Sequence, residues 1–99
     1  MLNKKTIIET IKENRAQLKT FGVKHLGLFG SFARNDAHDE SDIDLIIIFE
    51  KGKKNFDNLL GAHSYLESLF GKKTELITED AVSDSFKNFI SKEIEYVGI

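Results

Sequence analysis

The chain has 99 residues, 40% of them hydrophobic and 30% charged, with no cysteine, no proline and a formal net charge of −2. That length suits one domain spanning residues 1–99, burying roughly two-thirds of the surface of its unfolded chain, and the composition is not that of a disordered protein. The charge argues against broad duplex binding, the missing thiols exclude disulfides and zinc–thiolate sites, and no apolar run has the length of a membrane span.

Residues 3 to about 20 carry helical spacing at Ile7, Ile8, Ile11 and Leu18, and Gly22 is a suitable stop. The first fifteen residues are charged and lack an apolar core, so no signal peptide is expected and the protein reads as cytoplasmic. Val23 to Phe29 predicts a strand, with Val23, His25 and Gly27 alternating against Lys24, Leu26 and Leu28. Ser31 to about Asp36 predicts a turn or helical turn, in which Asn35 suits a left-handed position.

Asp42 to Glu50 reads as a second strand, because Leu45 to Phe49 is short, apolar and rich in isoleucine. After the loop Lys51-Gly52-Lys53-Lys54, apolar residues from Phe56 to Phe70 recur with helical spacing, and Gly71-Lys72-Lys73 ends that helix with cations where its dipole favours them. Thr74 to Thr78 predicts a short third strand. Ser83 to Val97 predicts a closing helix capped by Ser83, with Phe86, Phe89, Ile90, Ile94 and Val97 on one mostly buried face. The expected architecture is therefore α/β (α+β): a three-stranded sheet flanked by helices, in the order α-β-(short α)-β-α-β-α.

Chemistry concentrates between Gly30 and Leu45. Residues two apart on a strand share a face, so Asp42 and Asp44 present their carboxylates side by side. Two such charges about 5 Å apart repel by roughly 3 kcal/mol at an effective dielectric near 20. Solvation or a bound cation would relieve that repulsion. If the third strand lies beside the second, Glu75 can join the pair, and a three-carboxylate, all-oxygen set suits Mg²⁺ or Mn²⁺. Two such ions would stabilise both the attacking and the leaving oxygens of an in-line displacement at phosphorus. Gly30 and Ser31 would offer backbone N–H groups and a hydroxyl to phosphates, and Arg34 would neutralise a leaving pyrophosphate. The plainer alternatives are a solvated strand entry for the aspartates, a pairing of Glu75 with Lys72 or Lys73, and an exposed turn residue for Arg34. His25, His38 and His63 share no metal-ligand spacing.

Gly30-Ser31-x-x-Arg34 followed by Ser41-Asp42-Ile43-Asp44-Leu45 resembles the signature of the polymerase-beta nucleotidyltransferase superfamily. The short chain and Glu75-Leu76-Ile77 resemble its minimal nucleotidyltransferase (MNT) branch. The resemblance implies that fold, with a small mixed sheet. It makes Asp42, Asp44 and Glu75 catalytic and metal-binding (Mg²⁺, with Mn²⁺ an alternative) and gives Gly30, Ser31 and Arg34 to the triphosphate of ATP. It departs at Asn35, where the family usually has glycine, and at Glu75, where aspartate is commoner. Members of this branch often act as antitoxins of a HEPN ribonuclease toxin, which implies transfer of AMP to a toxin tyrosine within a hetero-oligomer. The alternatives are nucleotidyl transfer to a small molecule such as an aminoglycoside, and a non-catalytic antitoxin that neutralises by binding.

Overall fold

In the computed structural model, which describes residues 2–99, the first helix begins with a reciprocal cap. The Asn3 side chain accepts the Thr6 amide at 2.9 Å, and the Thr6 hydroxyl accepts the Asn3 amide at 2.9 Å. Helix α1 spans Lys4–Glu13 and buries Ile7, Ile8 and Ile11. The helix expected over residues 3–20 is divided at Asn14, whose side-chain nitrogen donates to the Thr10 carbonyl at 2.8 Å and whose oxygen accepts the Tyr65 hydroxyl at 2.7 Å. Helix α2 (Arg15–Thr20) follows and buries Leu18.

Strand β1 (Val23–Phe29) runs into the one-turn helix α3 (Ser31–Arg34), and strand β2 (Ile43–Phe49) returns antiparallel beside β1. A bulge between Val23 and His25 shifts the anticipated alternation, so Val23 packs in the same core as Leu26 and Leu28. Helix α4 (Phe56–Phe70), capped by Asn55 and closed by left-handed Gly71, crosses over to strand β3 (Thr74–Thr78), which lies parallel to β2. A 3₁₀ turn (Glu79–Ala81) leads to helix α5 (Asp84–Ile90), capped by Ser83 as expected.

The closing segment departs from expectation. Helix α5 stops at Ile90, and residues 95–98 form a fourth strand, β4 (Glu95–Gly98), antiparallel to β1. The sheet is thus four-stranded and mixed, in the order β3-β2-β1-β4, rather than three-stranded. The spacing of Phe86, Ile90, Ile94 and Val97 fits a helix, but Ile94-Glu95-Tyr96-Val97 also satisfies strand alternation. The unpaired edge of β1 decides between the two, since pairing satisfies the backbone there and buries Val97. Gly27 makes room for this strand: a side chain there would come 2.7 Å from the Tyr96 ring and 2.8 Å from Ile94. Phe89, expected mostly in the core, is 75% exposed and stacks on Phe86 instead.

One sheet face packs Leu26, Leu28, Ile43, Leu45 and Ile47 against α1, α2 and α4. The other carries Phe29 and Ile46, covered by Ile90 and Phe86 of α5. Alternation along β2 therefore sends Asp44 to the α5 side. Among the described residues no helix is long and apolar enough to cross a membrane.

Candidate active site

Asp44 and Glu75 meet because β2 and β3 are neighbours and their register pairs these two residues directly. The register is held at its start by the Ile43 amide, which donates to the Lys73 carbonyl at 3.1 Å. Glu67 of α4 accepts the Thr74 amide at 2.9 Å, and His63 Nε2 lies 2.8 Å from the Thr74 carbonyl. The pairing of Glu75 with a nearby lysine is not what forms: the Lys72 ammonium donates to the Asp39 carbonyl, and that of Lys73 lies 4.0 Å from Asp42.

Asp44 is half-buried, and its carboxyl is pushed up from 3.8 to about 6. Burial is the largest cause, followed by the negative charge of Glu75 and a hydrogen bond with it, and then by the charge of Asp42; Arg34 opposes the rise. The Gly30 backbone presses against this carboxylate. Gly30 has φ of 79°, and a side chain there would come 2.2 Å from Asp44 Oδ2. Position 30 thus needs glycine both for its backbone conformation and for space.

Ser31 and Arg34 sit at opposite ends of α3, which ends on left-handed Asn35 (φ 61°), the conformation anticipated for it. The Arg34 guanidinium is exposed beside the carboxylates: Nε donates to Asp36 at 3.1 Å and a terminal nitrogen to both Glu93 oxygens at 3.2 Å. Those bonds raise its pKa further. Glu93 also accepts the Gly30 amide at 2.6 Å. The structure therefore brings Asp44, Glu75, Gly30 and Arg34 to one end of the sheet, with Asp42 near enough to act on Asp44 through its charge.

This geometry coincides with a family. The model of the nucleotidyltransferase domain matches residues 7–97. The chain belongs to that family. As a nucleotidyltransferase it resembles a Methanocaldococcus jannaschii protein named as a candidate protein adenylyltransferase, with 34% identity across 92% of this chain and 94% of the relative. It is 28% identical to protein adenylyltransferase MntA of Thermococcus cleftensis over 98% of both chains. A solved structure described as a minimal nucleotidyltransferase superposes with a TM-score of 0.79 at 22% identity, covering 95% of each chain. A toxin–antitoxin structure solved with AMP-PNP shares the fold at a TM-score of 0.67 and 19% identity, over 99% of this chain and 75% of the other. So does a complex of a tri-AMPylated Shewanella oneidensis HEPN toxin with its MNT antitoxin, at 0.62 and 14%, over 93% and 73%.

Sequence reasoning about this nucleotidyltransferase missed Glu93, because it sits in the segment read as helix and far from the motif along the chain. It also missed His63 and Glu67, which act on β3 across a turn that hides their proximity in the sequence. A cavity of about 450 Å³ runs from the exposed Phe56 and Leu60 of α4 past His63 to Glu75 and Leu76. Among the described residues no three His, Cys, Asp or Glu side chains are drawn together as a ready metal-binding group.

Proposed function

We propose that this nucleotidyltransferase transfers AMP from ATP to a hydroxyl group, a tyrosine of a HEPN-type toxin, and so acts as its antitoxin. The observation that carries the proposal is the in-register pairing of Asp44 with Glu75, with the Gly30 backbone against Asp44 and Arg34 alongside. The names of the relatives and the toxin complexes formed by proteins of the same fold agree with it.

Asp44 and Glu75, which face each other in register, are the groups suited to a divalent cation, with Asp42 acting on Asp44 through its charge. A bound ion would have to draw the three together. Their donors are all hard oxygens, and the raised Asp44 pKa reflects crowded, partly buried negative charge that a cation would relieve. Bound Mg²⁺ or Mn²⁺ would supply charge neutralisation at the reacting phosphate. The chain's own groups do the rest. Gly30 N–H, Ser31 and Arg34 hold the triphosphate and stabilise the departing pyrophosphate. Glu75 accepts the proton of the acceptor hydroxyl as its oxygen bonds to the α-phosphorus. The bond from that phosphorus to the bridging oxygen of pyrophosphate breaks, and pyrophosphate leaves with its electron pair.

The test is to incubate the protein with Mg-ATP and the product of the gene adjacent to its own, then weigh that product intact. An added adenylyl group that disappears with Asp42→Asn or Asp44→Asn is the expected result. Toxin inhibition that survives both substitutions with no mass change would establish neutralisation by binding instead.

A further inference from the structure

Two groups assigned above to the triphosphate already hold an anion. The Glu93 carboxylate accepts the Gly30 amide through Oε2 at 2.6 Å, and the Arg34 guanidinium reaches both of its oxygens at 3.2 Å. Its side chain is only 14% exposed, although it stems from the turn between α5 and β4, far from Gly30 along the chain. A carboxylate held by a backbone N–H and a guanidinium uses the same donors, with the same charge-assisted geometry, as a phosphate oxygen. Glu93 is thus placed in the molecule as a phosphate surrogate would be.

We infer that Glu93 is the resident anion of the triphosphate subsite, displaced by the incoming nucleotide, and that it sets the affinity of the site for polyphosphate. The inference rests on the assignment of Gly30 and Arg34 to the triphosphate. The chain tethers Glu93 beside those donors, so it competes at high effective concentration, and polyphosphate binds only by replacing it. The turn allows the exchange: Ser91 and Lys92 before Glu93 are exposed, and the Glu93 backbone is tied by its amide to the Ile90 carbonyl at 2.9 Å. The carboxylate can swing outward while that backbone stays in place. A purely structural Glu93, there only to pin Arg34, predicts the opposite effect of its removal, because a loosened guanidinium binds anions less well.

The sign of one measurement separates the two roles. Binding of inorganic tripolyphosphate with saturating Mg²⁺ is measured by calorimetry on the full chain, for the wild type, Glu93→Gln and Arg34→Ala. Glutamine keeps an acceptor for the Gly30 amide but removes the charge, so Glu93→Gln is expected to bind about tenfold more tightly than the wild type. Arg34→Ala is expected to bind more weakly. Equal or weaker binding by Glu93→Gln overturns the inference. Failure of all three proteins to bind overturns the triphosphate assignment itself, and the inference with it. The wild type provides a check that does not depend on a variant folding: the Glu93 side-chain carboxyl ¹³C resonance should move on saturation with tripolyphosphate. An unmoved resonance in a saturated protein overturns displacement.

Discussion

Replacing Asp44 by asparagine should stabilise the metal-free protein while removing its activity. The Asp44 carboxyl is raised from 3.8 to about 6 by burial and by the Glu75 and Asp42 charges, so its ionised form is the strained one. At 1.36 kcal/mol for each tenfold change in proton affinity, that rise corresponds to about 3 kcal/mol as a ceiling. The group is half open to solvent, which screens the interaction, so about 1 kcal/mol is the realistic gain. For a domain of this size that raises Tm by roughly 4–8 °C. The native state binds the extra proton, so wild-type stability from this group is complete below pH 3.8 and is lost as pH rises through about 6. Asparagine is isosteric, fits against Gly30, can donate to Glu75 and does not titrate. Thermal melts of both proteins in chelator should therefore coincide near pH 4 and diverge to a plateau above neutral pH, with the variant higher. A variant that melts lower at pH 8, or a difference independent of pH, would refute the reasoning.

Glu75→Gln should lower the turnover of adenylyl transfer by about 10²–10⁴-fold, read from initial rates at saturating Mg-ATP. Gly30→Ala combines a positive φ with a collision on Asp44 and should lose about 1–2 kcal/mol by urea denaturation, along with most tripolyphosphate binding. Asn35→Gly should be within a few tenths of a kcal/mol of wild type, whereas Asn35→Ala costs about 1 kcal/mol, because only the former is at ease at φ 61°. Gly27→Val should dislodge the last strand, seen as faster amide exchange at Val97 while the Ile46 and Ile47 amides stay protected.

The motif end of the site was legible because its information is local. Alternation along β2 sends Asp44 to the α5 side, while Asp42, expected on the same strand, falls just before β2 begins at Ile43. A turn after Phe29 followed by Asn35 has few conformations open to it. Glu75 required knowing which strand lies beside β2, and the α4 crossover supplies that only once the helix has packed. Glu93 and β4 were illegible for a related reason. The spacing from Phe86 to Val97 satisfies both a helix and a strand, and the unpaired edge of β1, some seventy residues earlier (Leu26 faces Val97), chooses between them. Local pattern specifies elements, while pairing between distant strands specifies which side chains meet.

The hydrogen bonds by which α4 grips the start of β3 make that helix a ruler. His63 and Glu67 measure the distance from the helix to Thr74, and Glu75 is the next residue. Sliding β3 by one residue would set Thr74 or Leu76 opposite Asp44 in place of a carboxylate. The two connections flanking α4 should therefore differ in tolerance to changes in length. The loop from Lys51 to Lys54 is exposed and lies upstream of the ruler, so added residues there leave the mark where it is. One residue added or removed between Gly71 and Lys73 moves the mark itself, and viable chains of this fold should vary in length at the first junction and hold it constant at the second.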